Sequence, residues 1–255
     1  MSAGVRRLDM HVDLAMALDP CAIFEAVVGQ PDDWQRQLLE SDSKRVLLCC
    51  SRQSGKSSVS AAIALRQAMF FPGSLILLVS PSLRQSSELF RKVAEYFHKL
   101  GGEAPEQEST LRLELKNGSR IIALPGSEAT VRGYSGADLI VLDEAARIPD
   151  ELLAALRPSI ATKSDSARLI YLSTPWGRRG FFWDAWQNGA GWEKFEVPAG
   201  ECPRITPEFL EQERHALGEL VFRSEYLCEF LDPESQVIPS ELIEAALSDE
   251  QPFDF

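Results

Sequence analysis

The sequence has little positive charge: 26 Lys and Arg stand against 38 Asp and Glu in 255 residues, a formal net charge of −12. This shortage excludes a diffuse basic surface for nucleic acid, because neutralising phosphates requires clustered Lys and Arg. The shortage is uneven. Residues 191–255 contain 16 acidic and 4 basic residues, whereas residues 1–190 contain 22 of each. The chain therefore divides into a neutral body and an acidic C-terminal section.

The sequence also lacks the patterns of a zinc site, a signal peptide and a membrane span. Its five cysteines are an odd number and include no CxxC pair and no Cys/His spacing typical of zinc. Cys49 and Cys50 lie in an apolar run, which predicts buried, reduced thiols. No apolar run approaches the roughly 20 residues of a membrane span, and the N-terminus has no signal-peptide core. We expect a soluble, cytoplasmic protein with no membrane partner.

From Val46 onwards, short apolar runs alternate with helical patterns. The runs VLLCC, LILLVS, LIVL and RLIYLS predict strands buried on both faces, and Asn117-Gly118 predicts a hairpin between LRLEL and RIIAL. Helices are predicted from Asp19-Pro20 and from Pro31, and after residue 190 the pattern predicts helices alone. The fold class is therefore α/β, with a mostly parallel sheet flanked by helices.

The segment CSRQSGKS, residues 50–57, lies between a predicted strand and a predicted helix. It has the GKS end of a phosphate-binding loop, although Cys50 replaces the first glycine. Backbone N–H groups there would face an anion, Lys56 would reach the β- and γ-phosphates, and Ser57 would hold Mg²⁺. The alternative is a Ser/Gly turn that only joins two elements. The residues predicted to bind nucleotide in this region are Ser51, Arg52, Gln53, Ser54, Gly55, Lys56, Ser57 and Ser58.

Two carboxylates, Asp143 and Glu144, follow the apolar run LIVL. Ligands of open α/β sheets bind at the carboxyl ends of the strands. Asp143 is predicted to hold Mg²⁺, and Glu144 to orient and polarise the attacking water. Asp143 would alternatively cap the next helix, and alone the two interpretations weigh evenly. Together with Lys56 in the same chain, the catalytic interpretation is favoured.

Two further polar residues are candidates for contacts with a nucleotide. Thr174 closes the next strand, where a hydroxyl would report whether a γ-phosphate is present, or would simply precede the turn at Pro175. The amide of Gln35 suits an adenine edge, although its spacing alone favours a surface glutamine on an amphipathic helix.

Two arginines are candidates for contact with the γ-phosphate at the transition state. Arg52 lies within the loop and would touch the phosphates in cis, and Arg132 lies just before the third strand. In a ring, such an arginine can also come from a neighbouring copy. For each arginine, an ordinary surface ion pair is the alternative.

Together these segments resemble the ATPase domain of phage terminase large subunits. The resemblance rests on Trp34-Gln35, SRQSGKS, Val131-Arg132-Gly133, LIVLDEAA, STPWGRRGFF and the stretch from Phe222 to Phe230. It implies a P-loop NTPase of the additional-strand type, RecA- and helicase-like, with a small helical lid. It also implies that Lys56, Ser57, Asp143 and Glu144 carry ATP hydrolysis with Mg²⁺. In the same comparison Thr174 corresponds to the coupling motif, Gln35 to adenine recognition, and Arg132 to the arginine that acts in trans.

The resemblance also implies a domain organisation. Residues 1–232 would form the ATPase domain, with the N-terminal helices and the helices of 200–232 as the lid. Residues 233–255 would form a linker towards a nuclease domain. Because the chain ends at Phe255, where that domain should begin, we expect no nuclease activity.

The predicted function is ATP hydrolysis that drives double-stranded viral DNA into a procapsid. The partners implied by the resemblance are DNA, other copies of the chain in a ring, the portal protein and the small terminase subunit, in the host cell cytoplasm. Two alternatives stay open: a helicase-like DNA-dependent ATPase, and a nucleotide-binding assembly switch that does not hydrolyse.

Overall fold

The computed structural model describes residues 10–101, 104–126 and 131–231. Within them, eight strands form one sheet in the order β3-β4-β5-β2-β6-β7-β1-β8. The strands are β1 (Arg45–Cys50), β2 (Leu75–Ser80), β3 (Gln107–Glu108), β4 (Arg112–Glu114), β5 (Arg120–Pro125), β6 (Leu139–Asp143), β7 (Arg168–Ser173) and β8 (Glu193–Val197). Only the pairs β3-β4 and β4-β5 are antiparallel. This architecture confirms the predicted α/β fold with a mostly parallel sheet.

The helices flank the sheet. They are α1 (Met10–Leu18), α2 (Ala22–Val27), α3 (Asp33–Glu40), α4 (Lys56–Phe70), α5 (Leu83–Leu100), α6 (Asp150–Leu156), α7 (Gly180–Asn188), α8 (Pro207–Leu217) and α9 (Glu219–Leu227). Short 3₁₀ segments at Ala145–Arg147, Arg157–Lys163 and Ala199–Glu201 connect them. No helix in the described segments is long and apolar enough to cross a membrane.

The central strands are buried on both faces because alternate side chains enter two different cores. Along β1, Leu48 and Cys50 pack with α2, α3, α4 and α5, whereas Leu47 and Cys49 pack on the side of α6 and α7. This explains why these strands are continuous apolar runs in the sequence. All five cysteines are buried and free, as predicted for Cys49 and Cys50.

The predicted hairpin is confirmed: β4 and β5 are antiparallel neighbours on either side of Asn117-Gly118, and Gly118 has φ +82°. A backbone conformation of this kind favours glycine, because a side chain would clash with its own backbone.

The two helices predicted after residue 190 are confirmed as α8 and α9, but the expectation that helices alone occur there is wrong. Residues Glu193–Val197 form β8, which pairs in parallel with β1 at one edge of the sheet. Of its five residues only Phe195 and Val197 are buried, and the exposed Glu196 lies between them. An edge strand needs apolar side chains on one face only, so its pattern is weaker than that of a central strand.

The two ends of the described chain pack differently. Ile23 and Phe24 of α2 are part of the main core. Helices α8 and α9 instead share a small separate cluster around Phe222 and Tyr226, and we call them the C-terminal helix pair. The assignment of a lid to the terminal helices stays a prediction. The predicted linker, 233–255, lies outside the described residues.

Candidate phosphate-binding site

The 50–57 loop leads from β1 into α4 at the carboxyl edge of the sheet. Gln53 and Gly55 have positive φ values of 58° and 96°. Within the described segments, the backbone N–H groups of Gln53 to Ser57 have no acceptor. Five consecutive free donors at a helix N-terminus form a concave site for an anion. This arrangement suits an anion, and the binding of phosphate by the loop stays a prediction.

Gly55 is required at its position for two reasons. Its φ of 96° is left-handed, and a Cβ there would lie 2.6 Å from Nε2 of Gln35. Gln35 is only 2% exposed, so it is not the surface glutamine that its spacing favoured. Its Oε1 accepts a hydrogen bond from the backbone N–H of Asp32 at 3.0 Å, as part of the N-terminal cap of α3. Gln35 thus packs behind the loop, and its role towards adenine stays a prediction.

A cavity of about 730 Å³ adjoins the open side of the loop. It is lined by eight predicted residues: Arg52, Gln53, Gly55, Lys56, Ser57, Ser58, Glu144 and Thr174. The sequence had not indicated three others: Gln85 and Lys92, which come from α5, and Arg147, which follows β6. The lining contains four cationic side chains and one carboxylate, so the cavity favours a ligand with several negative charges.

Lys56 and Glu144 meet in this cavity. The Lys56 ammonium lies 3.0 Å from Oε1 of Glu144, and both side chains are largely buried. Burial alone would lower the pKa of Lys56, but the carboxylates of Glu144 and Asp143 outweigh it and raise that pKa. Lys56 is therefore held as a cation on the wall of the cavity.

Glu144 has φ 55° and ψ 42°, a left-handed conformation that is costly for a residue with a side chain. The strained backbone turns the chain from the end of β6 into the 3₁₀ segment. It places the carboxylate against Lys56, on the wall of the cavity.

Asp143 and Ser57 line a second cavity of about 240 Å³, which also contains Glu144. Asp143 is 7% exposed, and its Oδ1 accepts a hydrogen bond of 3.1 Å from the backbone N–H of Glu144. Burial raises its pKa from 3.8 to about 6, although Lys56 acts in the opposite direction. A cation at this position would keep Asp143 ionised.

The donors present here suit Mg²⁺ bound together with phosphates. Ser57 and Asp143 supply one hydroxyl and one carboxylate, both hard oxygen ligands. The described residues contain no group of three or more His, Cys, Asp or Glu that could hold a metal ion by protein ligands alone. Mg²⁺ in nucleotide sites is commonly held by one or two carboxylates, water and substrate phosphates, so this donor set fits.

Glu225 of α9 binds two arginines of the cavity wall. Its Oε2 lies 2.7 Å from Nε of Arg52 and its Oε1 3.1 Å from Nη2 of the same arginine. Arg147 reaches Oε1 of Glu225 at 3.3 Å. Burial would raise the pKa of Glu225, but the two arginines outweigh it and lower the pKa. Glu225 thus connects the C-terminal helix pair to the site.

Three further predicted residues lie at or behind the loop. Thr174 is 2% exposed and lines the cavity beside the loop. Ser51 and Ser54 are fully buried and lie behind the loop, where the Ser51 N–H donates to the Val197 carbonyl at 2.9 Å.

Arg132 does not line the cavity beside the loop. It is exposed and lines a separate cavity of about 310 Å³ together with Tyr134 and Glu151. The two arginines predicted to contact the γ-phosphate, Arg52 and Arg132, therefore line different cavities.

Residues 47–245 match the family described as "Terminase large subunit, T4likevirus-type, N-terminal". The terminase large subunit of Thermus phage G20c is 28% identical over 251 residues, which cover 84% of this chain and 51% of that protein. The chain thus spans about half the length of the curated relatives it matches.

Two solved structures show the same fold. The ATPase domain of the large terminase of Thermus phage P74-26 superposes with a TM-score of 0.72 at 24% identity, over 82% of this chain and 97% of that chain. The large terminase of a thermophilic bacteriophage, solved in complex with ATP-γ-S, gives a TM-score of 0.63 at 13% identity, over 79% and 53% of the two chains. At these identities the likeness establishes the fold alone.

Proposed function

The chain belongs to the terminase large subunit family, in the N-terminal region of that family, and on this premise we propose that it is an ATPase. Its hydrolysis of ATP would drive the translocation of double-stranded viral DNA into a procapsid. The partners we propose are other copies of the chain in a ring, the portal protein and the small terminase subunit, in the host cell cytoplasm.

One observation carries the proposal: the ion pair between Lys56 and Glu144, which adjoins a row of five free backbone donors. The ammonium and the backbone donors suit a polyphosphate. A carboxylate beside them suits an attacking water. A turn that merely joins β1 to α4 would need neither the lysine nor the strained Glu144.

In the proposed reaction the phosphates of ATP draw Lys56 away from Glu144. The freed carboxylate orients a water molecule and accepts one of its protons while the water oxygen forms a bond to the γ-phosphorus. The bond between the γ-phosphorus and the β–γ bridging oxygen breaks, which yields ADP and inorganic phosphate. Ser57 and Asp143 would hold Mg²⁺, which when bound neutralises charge on the phosphates.

Arg132 and Gln35 do not line the cavity beside the loop, and we propose other roles for them. Because Arg132 is exposed and lines a different cavity, we propose that it serves the site of a neighbouring copy. Gln35, packed against Gly55, would contact the adenine from behind the loop.

The test is phosphate release from ATP with Mg²⁺ by the wild-type chain and by Glu144→Gln. It is measured with the protein in excess over ATP, so that slow turnover by single copies is counted. We expect Glu144→Gln to lose about 10²–10³-fold in rate and to retain binding of ATP-γ-S. The matched control is Glu95→Gln, an exposed carboxylate on α5 that pairs with Lys99.

Phosphate release and a separate assay of DNA unwinding distinguish the proposal from its alternatives. An unchanged rate in Glu144→Gln, or no rate in the wild type, would favour an assembly switch that only binds nucleotide. Unwinding of a short DNA duplex without a procapsid would instead favour a helicase.

A further inference from the structure

The geometry points to Arg147 as the arginine that binds the γ-phosphate of ATP within the same chain, while Arg52 ties the loop to α9. This inference rests on the proposed ATP site. It differs from the expectation drawn from the sequence, in which the arginine was either Arg52 or Arg132.

Arg147 stands between two carboxylates of the cavity wall without being firmly bound to either. Its Nη2 lies 3.3 Å from Glu225, and its Nε lies 3.8 Å from Oε2 of Glu144, too far for a hydrogen bond. No described residue accepts a hydrogen bond from its Nη1. Most of the donors of this guanidinium are therefore available to a new acceptor.

The position of Arg147 is nevertheless fixed. Its guanidinium carbon lies 3.8 Å from the centroid of the Trp176 ring, which follows β7. A planar guanidinium stacked on an indole keeps its edge donors free while losing much of its rotational freedom. Stacking therefore holds Arg147 at the cavity wall without occupying its hydrogen-bonding groups.

Arg147 and Lys56 approach the same carboxylate from different oxygens: Lys56 contacts Oε1 of Glu144, and Arg147 faces Oε2. An anion that draws Lys56 away from Glu144 would therefore enter within reach of Arg147 as well. A phosphate with about two negative charges is a stronger partner for a guanidinium than a carboxylate shared with another arginine. We expect Arg147 to turn from Glu225 to the terminal phosphate.

Arg52 is held in a different way. It makes two hydrogen bonds to Glu225, at 2.7 and 3.1 Å, and its backbone N–H donates to the Glu225 carbonyl at 2.9 Å. Moving Arg52 to a phosphate would break a bidentate pair and leave a largely buried carboxylate with one weak partner. These contacts assign Arg52 to positioning of the loop.

The test compares affinities for ADP and ATP-γ-S, which differ by the terminal group. For Arg147→Ala we expect affinity for ATP-γ-S to fall by about tenfold or more, with ADP affinity changed less than twofold. Arg147→Lys keeps the charge but loses the planar guanidinium and its paired donors. Its affinity for ATP-γ-S should lie between those of Arg147→Ala and the wild type. The control is Arg91→Ala, an exposed arginine of α5 that pairs with Glu88 and should change neither affinity.

Arg52→Ala provides the opposing result. We expect it to weaken ADP and ATP-γ-S alike and to lower the melting temperature, since it releases the loop from α9. The assignment of Arg147 would be overturned if Arg52→Ala lost affinity for ATP-γ-S but not for ADP. It would also be overturned if Arg147→Ala lost affinity for both nucleotides equally, or for neither. Should Arg147→Ala unfold, the ratio of the two affinities in Arg147→Lys decides.

A result that contradicts the proposed function differs from one that contradicts the role of Arg147. Wild-type chain that binds neither ADP nor ATP-γ-S would contradict the ATP site itself. Wild-type chain that binds both, with no selective loss in Arg147→Ala, would contradict only the role of Arg147.

Discussion

Three backbone groups on the back of the 50–57 loop are hydrogen-bonded to neighbouring elements, whereas on its front a row of backbone donors faces an open cavity. The N–H groups of Ser51 and Arg52 donate to the carbonyls of Val197 and Glu225, each at 2.9 Å. The carbonyl of Ser54 accepts from Arg204 at 3.1 Å. On the front, the backbone N–H groups of residues 53–57 have no acceptor in the described segments.

This difference indicates how the loop is prepared for a ligand. Contacts at the back fix the backbone before any ligand arrives, so little ordering entropy is lost on binding. Groups at the front keep their bonding capacity for an anion, and their orientation is already set. Front substitutions should therefore change binding and turnover, and back substitutions should mainly change stability.

The largest effect expected in this comparison is at the front, from Asp143→Asn. We expect the Mg²⁺-dependent rate of ATP hydrolysis to fall by about 10²-fold or more, because Mg²⁺ would lose its only proposed carboxylate ligand.

The same substitution should raise stability at pH 7. The pKa of Asp143 is about 6 in the folded protein and 3.8 for an ordinary aspartate, the value expected in the unfolded chain. Between these two pH values the folded state therefore binds more protons than the unfolded state. Stability is therefore lost as pH rises through this window.

The difference between the two pKa values sets the effect on the free energy of unfolding. At pH 7 the ionised Asp143 carboxylate lowers that free energy by at most about 3 kcal/mol. Urea unfolding at pH 4 and pH 7 measures it. From pH 4 to pH 7, the unfolding free energy of the wild type should decrease relative to that of Asp143→Asn. Asp165→Asn, on an exposed turn, serves as the control. A variant that loses stability at pH 7 would show that Asp143 mainly supports the fold.

Gly55 lies where front and back meet, and Gly55→Ala should disturb both. The left-handed φ costs about 1–2 kcal/mol for alanine, and the new methyl would lie 2.6 Å from Gln35. Gly73→Ala is the matched control, because Gly73 has φ +74° and nothing within 4 Å of its Cβ position. We expect Gly55→Ala to cost about 1 kcal/mol more in unfolding free energy than Gly73→Ala. Equal costs would mean that Gln35 moves aside freely.

The front of the loop could be predicted from the sequence, because its groups lie close together in the chain or at predicted strand ends. Residues 53–57 are contiguous, and Asp143 ends, and Glu144 follows, a strand that the apolar pattern identified. Since the carboxyl ends of parallel strands share one edge, their meeting with Lys56 followed from the fold class.

The back of the loop could not be predicted in the same way. Arg204 and Glu225 come from segments about 150 and 170 residues further along the chain. β8, which holds Ser51, has too few apolar residues to be recognised as a strand. Arg147 was missed because its position depends on stacking against Trp176, from another strand end. Such contacts depend on how helices and loops dock, which local patterns do not encode.

The smallest effect should come from the back, in Arg204→Ala. Arg204 binds Asp32 at 2.8 and 2.6 Å and the Ser54 carbonyl at 3.1 Å, but its side chain is 53% exposed, so solvent weakens these bonds. We expect a loss of about 1 kcal/mol, which lowers the melting temperature by about 2–4 °C. Turnover should change less than threefold at temperatures where the variant is folded. Arg204→Lys, which keeps the charge without the bidentate geometry, should lose about half as much. A tenfold loss of turnover at an unchanged melting temperature would instead place Arg204 among the groups that act on the nucleotide, and the division between the two sides of the loop would fail.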